Sequence, residues 1–324
     1  MYSLIRQRLR EGVETQPAFD RRSRALYILL CTECLAGAAS SKASGFTYDL
    51  PFEKAAWGCL LIGCALLLRR IGHKKVAGGI ETSILSFLHG FPTIFIIFPL
   101  LAISGPFADS WLEHADELLG FDWFALIHFF ARHPQGLALA LRAYQSIFWQ
   151  PLLIIPALWI FNRGDCAWRM VTALSFSLAI SLAIYPFAPA DAAFTHYGVT
   201  PAQYPIQSTV PWTTGPVVHS IKDGARHITL DSLKGLVTFP SYHAAIAVIL
   251  TWGAWKIRRF GSGYLIAMLN AVVLVSCILV GAHYLIDVIA GCAIAVVSIL
   301  LANKAVLWPM GASERLLPWQ EPSG

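Results

Sequence analysis

Apolar residues run along this chain in long blocks separated by short polar connectors. A bilayer core takes about 20 largely apolar residues per helix. Six segments approach that length: Ser83–Ser104, Leu139–Phe161, Trp168–Ala188, Pro240–Trp255, Gly263–Val280 and His283–Ala302. Two shorter apolar runs precede them, Ala25–Ser40, which contains Glu33, and Ala55–Leu68. Either could span or form a shallow hairpin. Trp111–His133 differs, because apolar positions recur at helical spacing with acids on the opposite face. That pattern predicts one interfacial helix along the membrane surface. The Pro-, Thr-, Ser- and Gly-rich stretch Asp191–Phe239 reads as a loop of unusual length, and such loops are often functional. The expected fold is an all-α membrane protein: a six-helix core, two N-terminal apolar helices and an interfacial helix.

Composition agrees with the pattern. Of 324 residues 56% are hydrophobic and 13% charged, about half the charge of an average soluble domain. Cytoplasmic loops of membrane proteins carry an excess of Lys and Arg. Alternating the segments gathers seventeen of the 24 basic residues on one side, among them Arg69, Arg70, Lys74, Lys75, Lys256 and Lys304. Both termini are therefore expected in the cytoplasm. The net charge of +5 is a topology signal, and no nucleic-acid partner is needed to explain it. The organisation expected is a basic tail with a two-helix extension (1–80), a core (81–305) and a cytoplasmic tail (306–324).

Seven cysteines lie mostly in apolar runs and read as small packing residues. Cys31 and Cys34 have C-x-x-C spacing, yet no second pair completes a zinc set. No metal or other cofactor is expected.

Chemistry concentrates in two stretches. Phe239–Ala245 contains Pro240-Ser241-Tyr242-His243 at the start of one segment; Gly281–Gly291 contains His283 and Asp287 at the start of the last. One segment intervenes, so the two starts share a membrane face, the non-cytoplasmic one. Residues four apart on a helix share a side, so Asp287 can accept a hydrogen bond from His283 and raise the nucleophilicity of its other ring nitrogen. Two imidazoles facing one phosphate supply a nucleophile and a general acid. A His at a helix end is ordinarily a hydrogen-bonded interface residue, the reading given to His73, His89, His114, His128, His133 and His196.

These stretches resemble the second and third motifs of the type 2 phosphatidic acid phosphatase superfamily, P-S-G-H and S-R-x(5)-H-x(3)-D. Here they read PSYH at Pro240–His243 and S-C-x(5)-H-x(3)-D from Ser276 to Asp287. The resemblance implies a six-helix core, matched by Ser83–Ala302, and metal-free chemistry. It implies that His283 attacks phosphorus to form a phosphohistidine, that Asp287 orients it, and that His243 protonates the leaving oxygen. The chain departs from the family at three points: the motif Arg is Cys277, the motif Gly is Tyr242, and the first motif K-x(6)-R-P has no clean match. The same departures, with Tyr185–Pro189 before the long loop, resemble the branch of inositol phosphorylceramide and sphingomyelin synthases. Asp116–Trp123 resembles bacterial members of it.

A phosphate dianion needs positive charge. Arg226 is the first candidate, with Lys222 and Lys234 beside it in the outer loop and the helix start near Ser241 adding free N–H groups. The expected function is hydrolysis of a lipid phosphate or pyrophosphate at the periplasmic face of a bacterial inner membrane. Headgroup transfer between lipids is the alternative, and non-catalytic transport a third reading. The sequence names neither the lipid nor the oligomeric state.

Overall fold

A computed structural model describes residues 23–49, 53–204, 206, 210–229 and 237–307 of the chain. The basic tail before Ser23, Lys234 and the tail after Leu307 lie outside the described residues.

Two helices open the chain, α1 (Arg24–Ser44) and α2 (Glu53–Arg70), so both short apolar runs are helical. Neither is among the helices long and apolar enough to cross a membrane. α3 (Lys74–Leu88) and α4 (Gly90–Ile103) follow and together form one such span of 30 residues. Arg69 and Tyr27 both bond Glu81, and His89 Nδ1 lies 2.7 Å from Glu33. His89 is thus a buried partner of an acid inside the helical body, a correction to its reading as an interface residue.

The stretch predicted as one interfacial helix is two, α5 (Asp109–Leu118) and α6 (Trp123–Ala131). Gly120 takes a left-handed φ of 71° between them, and Asp122 caps α6 by accepting from the Ala125 amide at 2.8 Å. A left-handed glycine ends a helix and a following Asp starts another.

Next come α7 (Pro134–Ser146) and α8 (Gln150–Ile160), bent by 52°. Pro151 lacks the N–H that would bond back one turn, which breaks the helix there. α9 (Gly164–Ile184) is the central helix: 61% of its apolar window is buried, against 39% for the other three continuous spans.

The long segment between α9 and the next span, expected as a loop, contains structure: a short turn of helix, α10 (Ala193–His196), then α11 (Val210–Lys222) and a strand His227–Thr229. That strand pairs in parallel with Thr47–Asp49, tying this segment to the end of α1.

α12 (Tyr242–Ala254), α13 (Ser262–Leu279) and α14 (Leu285–Leu307) complete the bundle. α12 is a 13-residue helix continued by a 3-10 stretch over Trp255–Phe260, shorter than the span predicted for Pro240–Trp255. Among the described residues, four helices reach membrane-crossing length, five if α7 and α8 count as one span, rather than six. Large apolar side chains such as Leu265, Met268, Ile160 and Leu300 are exposed on outward faces, as lipid-facing surfaces require. The fold is all-α apart from the two-stranded pair among the described residues.

The cysteines divide. Cys166 and Cys277 are buried, but Cys31, Cys34, Cys59 and Cys64 lie on exposed faces, which corrects their reading as packing residues. Among the described residues no three of His, Cys, Asp or Glu are grouped as metal ligands.

Candidate active site

The starts of α12 and α14 meet. Ser241 caps α12, its Oγ accepting from the Ala244 amide at 3.3 Å. Its own N–H donates to the Asp287 carbonyl at 3.1 Å, joining the two helix starts through backbone. Gly291 makes this possible: a Cβ there would lie 2.2 Å from the Ser241 carbonyl oxygen. Gly281, at φ 75°, turns the chain into α14 while Phe194 packs flat against it, where a Cβ would collide.

This approach brings together the sequence-predicted His243, His283, Asp287 and Ser241. The rings of His243 and His283 have centroids 6.2 Å apart. His283 Nε2 lies 3.3 Å from Ser241 Oγ. His283 Nδ1 faces two acceptors, the Thr238 carbonyl at 2.9 Å and Asp287 Oδ2 at 3.4 Å. The nearer one is the carbonyl, so a backbone group, with Asp287 behind it, holds the proton on Nδ1 and leaves Nε2 unprotonated. Asp287 Oδ2 also accepts from the Tyr284 amide at 2.9 Å. That bond is half of a capping box, with Tyr284 before the helix and Asp287 in its first turn. His283 itself precedes the first helical residue, so the pair straddles a helix start instead of lying within a helix.

α5 supplies a support where the sequence showed only acids opposite the apolar positions of an interfacial helix. Asp116 is buried, and its two oxygens accept from the Leu285 and Ile286 amides at 2.8 Å each. Asp109, seven residues earlier on the same side, accepts from the Tyr284 hydroxyl at 2.9 Å and the Asp191 amide at 3.0 Å. Asp191 in turn accepts from His219 Nε2 at 2.6 Å. Burial pushes the carboxyls of Asp109, Asp116 and Asp191 above the usual carboxylate range, against the opposing pull of these hydrogen bonds. The nearby His196 pairs with Glu113 at 2.8 Å.

The histidines line a cavity of about 260 Å³ with Tyr144, Ile94, Ile97 and Leu182. The histidines, Tyr144 and Ser181 contribute polar atoms to this lining, and the rest of it is largely apolar.

Lys222 and Arg226 are not brought to the histidines. Lys222 Nζ donates to the Ser104 and Gly105 carbonyls at 2.7 and 2.6 Å, capping the end of α4. Burial lowers its affinity for the proton. Arg226 donates to the Ile221 and Ala225 carbonyls at 3.0 and 2.8 Å and lies over the Phe46 ring. Neither lines the cavity. Cys277, at the position of the missing motif Arg, is fully buried.

A bundle of apolar helices that gathers two imidazoles at one cavity defines a membrane protein with a candidate reactive site, and phosphatase- or phosphotransferase-type chemistry comes with the family it matches. The model of the PAP2 superfamily matches residues 110–301, more than half of the chain, and the chain belongs to that superfamily. Comparison with curated proteins and with solved structures returns no match.

Proposed function

We propose that the chain is a lipid phosphatase that hydrolyses a lipid phosphate or pyrophosphate through a phosphohistidine on His283. The observation that carries this reading is the meeting of His243 and His283 in one half-apolar cavity, with His283 Nδ1 tied to Thr238. His283 Nε2 attacks phosphorus, forming a P–N bond as the P–O bond to the lipid oxygen breaks. His243, as imidazolium, gives its proton to that oxygen. Water then attacks the phosphohistidine, His243 takes up the water proton, and phosphate leaves. Developing charge on the phosphoryl oxygens is offset by the N–H groups at the start of α12, since a helix N-terminus favours anions. Asp287 steadies the imidazolium-like His283 of the intermediate. The positive-side asymmetry of the sequence supports a periplasmic face for this site, in a bacterial inner membrane, with both termini cytoplasmic.

Transfer of a phospho-headgroup to an alcohol lipid is the second reading, favoured by Cys277 and Tyr242 in place of the motif Arg and Gly. Purified protein in detergent is offered lipid phosphates with and without an alcohol lipid. Phosphate release without acceptor, lost in His283→Ala at normal expression, is the expected result. Product that forms only with added alcohol lipid selects the transferase instead. Unchanged release by His283→Ala would falsify the catalytic assignment altogether.

A further inference from the structure

Arg142 lies on α7, inside the broken span that α7 and α8 make. A charge at such a position ordinarily turns inward and pairs. Arg142 is exposed instead, and among the described residues its guanidinium has no carboxylate, hydrogen-bond or ring partner. It is no clamp for a phosphate at the histidines. Tyr144, two residues on, lines their cavity, and residues two apart on a helix do not share a face. Arg142 opens onto a separate groove of about 390 Å³, lined with Pro134, Leu137, Leu141, Gln145 and, from the segment between α10 and α11, Ile206. Gln145 is exposed one turn further along α7. The groove thus joins one cation and one amide to an apolar lining. Leu139, Trp149 and Leu153, close by in the chain, present exposed apolar surface of the kind that lipid covers.

We infer that this groove binds the phosphate headgroup of an anionic phospholipid from the surrounding bilayer. An unpaired guanidinium beside hydrocarbon needs an anion, and the anion a bilayer supplies is a phosphodiester. The planar guanidinium matches two phosphate oxygens with parallel N–H groups. Side chains on a helix lean toward its start, so the Arg142 head reaches toward the Pro134 end of α7, while its stem stays along the apolar groove. Gln145, one turn the other way, can donate to an ester or glycerol oxygen of the same lipid. The acyl chains then continue past Trp149 and Leu153. The lining also selects the headgroup. Among the described residues it contains no Asp or Glu, so nothing there answers the amine of a zwitterionic lipid, and a headgroup of net negative charge fits better. Because Arg142 faces away from His243 and His283, this lipid is a resident of the protein and distinct from one that reacts, and the site stands whatever the histidines do.

The full chain, purified in an uncharged detergent, is titrated with phosphatidylglycerol, phosphatidylcholine or inorganic phosphate. Bound lipid is counted by native mass spectrometry and the melting temperature is read alongside. Phosphatidylglycerol is expected to bind saturably and to raise the melting temperature, as a ligand of the native state does. Phosphatidylcholine should bind several-fold more weakly, and inorganic phosphate should not displace the lipid. Arg142→Gln should weaken phosphatidylglycerol binding about tenfold or more, the effect of losing hydrogen bonds to a charged group. Its melting temperature in detergent alone should match wild type, because the guanidinium has no protein partner to lose. Arg132→Gln, at the end of α6 and outside the groove, should bind as wild type does. Ala138→Trp fills the groove and keeps the guanidinium; it should also lose the lipid, so the test does not hang on one variant. Wild-type affinity in both Arg142→Gln and Ala138→Trp overturns the site. Equal affinity for phosphatidylcholine, or displacement by inorganic phosphate, overturns the anionic lipid as its occupant.

Discussion

Gly291 brings helix α14 so close to Ser241 that a methyl group at position 291 would lie 2.2 Å from the Ser241 carbonyl oxygen. That oxygen belongs to the residue that caps α12 and faces His283 Nε2. The obstacle is backbone, which cannot swing aside as a side-chain tip can, so α14 or the start of α12 must shift. Overpacking costs about 1–3 kcal/mol, and the displacement falls on the Ser241–His283 contact of the proposed site. Gly291→Ala is expected to cut phosphate release at least tenfold and to lower the melting temperature. Gly63→Ala, where nothing lies within 4 Å, should change neither. Activity and melting curves of the two variants in the same detergent check this.

Asp116 acts on the site without entering it. Its carboxylate takes the first two amide protons of α14, groups that no turn of the helix can satisfy. Asn in its place offers one acceptor oxygen and turns an N–H₂ toward the second amide. Losing a capping carboxylate costs about 0.5–2 kcal/mol, and the first turn of α14 carries Asp287. Asp116→Asn is expected to lower kcat about tenfold while leaving KM nearly unchanged. Asp116→Glu, one methylene longer, should recover part of the loss. A KM that rises as much as kcat falls would point to the substrate site instead of the helix start.

The sequence was informative where chemistry repeats and silent where it depends on folding. Apolar blocks reported the long spans, although Pro151 bent one of them and α12 proved short. The pair of motifs pointed to His243, His283, Ser241 and Asp287, and the fold brings these four together, because each motif stands at a helix start and the two starts meet. The Thr238 carbonyl has no sequence signature, since every residue carries one. Asp109 and Asp116 share a helix face with Glu113 and Glu117, and an acidic stripe looks the same in sequence whether water or the start of another helix covers it. Lys222 and Arg226 carried the right charge in the right loop, but charge alone does not say which carbonyl is nearest. Gly120 offered a visible break in the predicted interfacial helix that acidic and apolar periodicity on either side concealed.

Lys222 is better explained by α4 than by phosphate. Its ammonium bonds the Ser104 and Gly105 carbonyls, at the negative end of that helix. Lys222→Gln is expected to lower the melting temperature by a few degrees, the effect of about 1 kcal/mol in a domain of this size, with KM for the lipid phosphate unchanged. Arg226→Gln should behave alike. A several-fold rise in KM for either variant, without loss of stability, would restore them as phosphate ligands.

Stability and activity should move in opposite directions with pH, through the buried acids around α14. Burial raises the native carboxyl of Asp116 above its unfolded value of about 4. Between those two values the native state binds more protons than the unfolded chain, so this group's contribution to stability is greatest at low pH and is lost as pH rises through the raised value. Its ionised form is the one with acceptors for both the Leu285 and Ile286 amides, so the geometry of Asp287 and His283 is best above that window. Acidifying from neutrality toward about pH 4 should therefore lower wild-type activity while widening the melting-temperature advantage of wild type over Asp116→Asn. The variant, which has no proton to take up at this position, should lose activity less steeply across the same range. Parallel pH series of phosphate release and thermal unfolding for both proteins measure this; a stability difference that narrows on acidification would show that the hydrogen bonds from α14, and not burial, set the charge of Asp116.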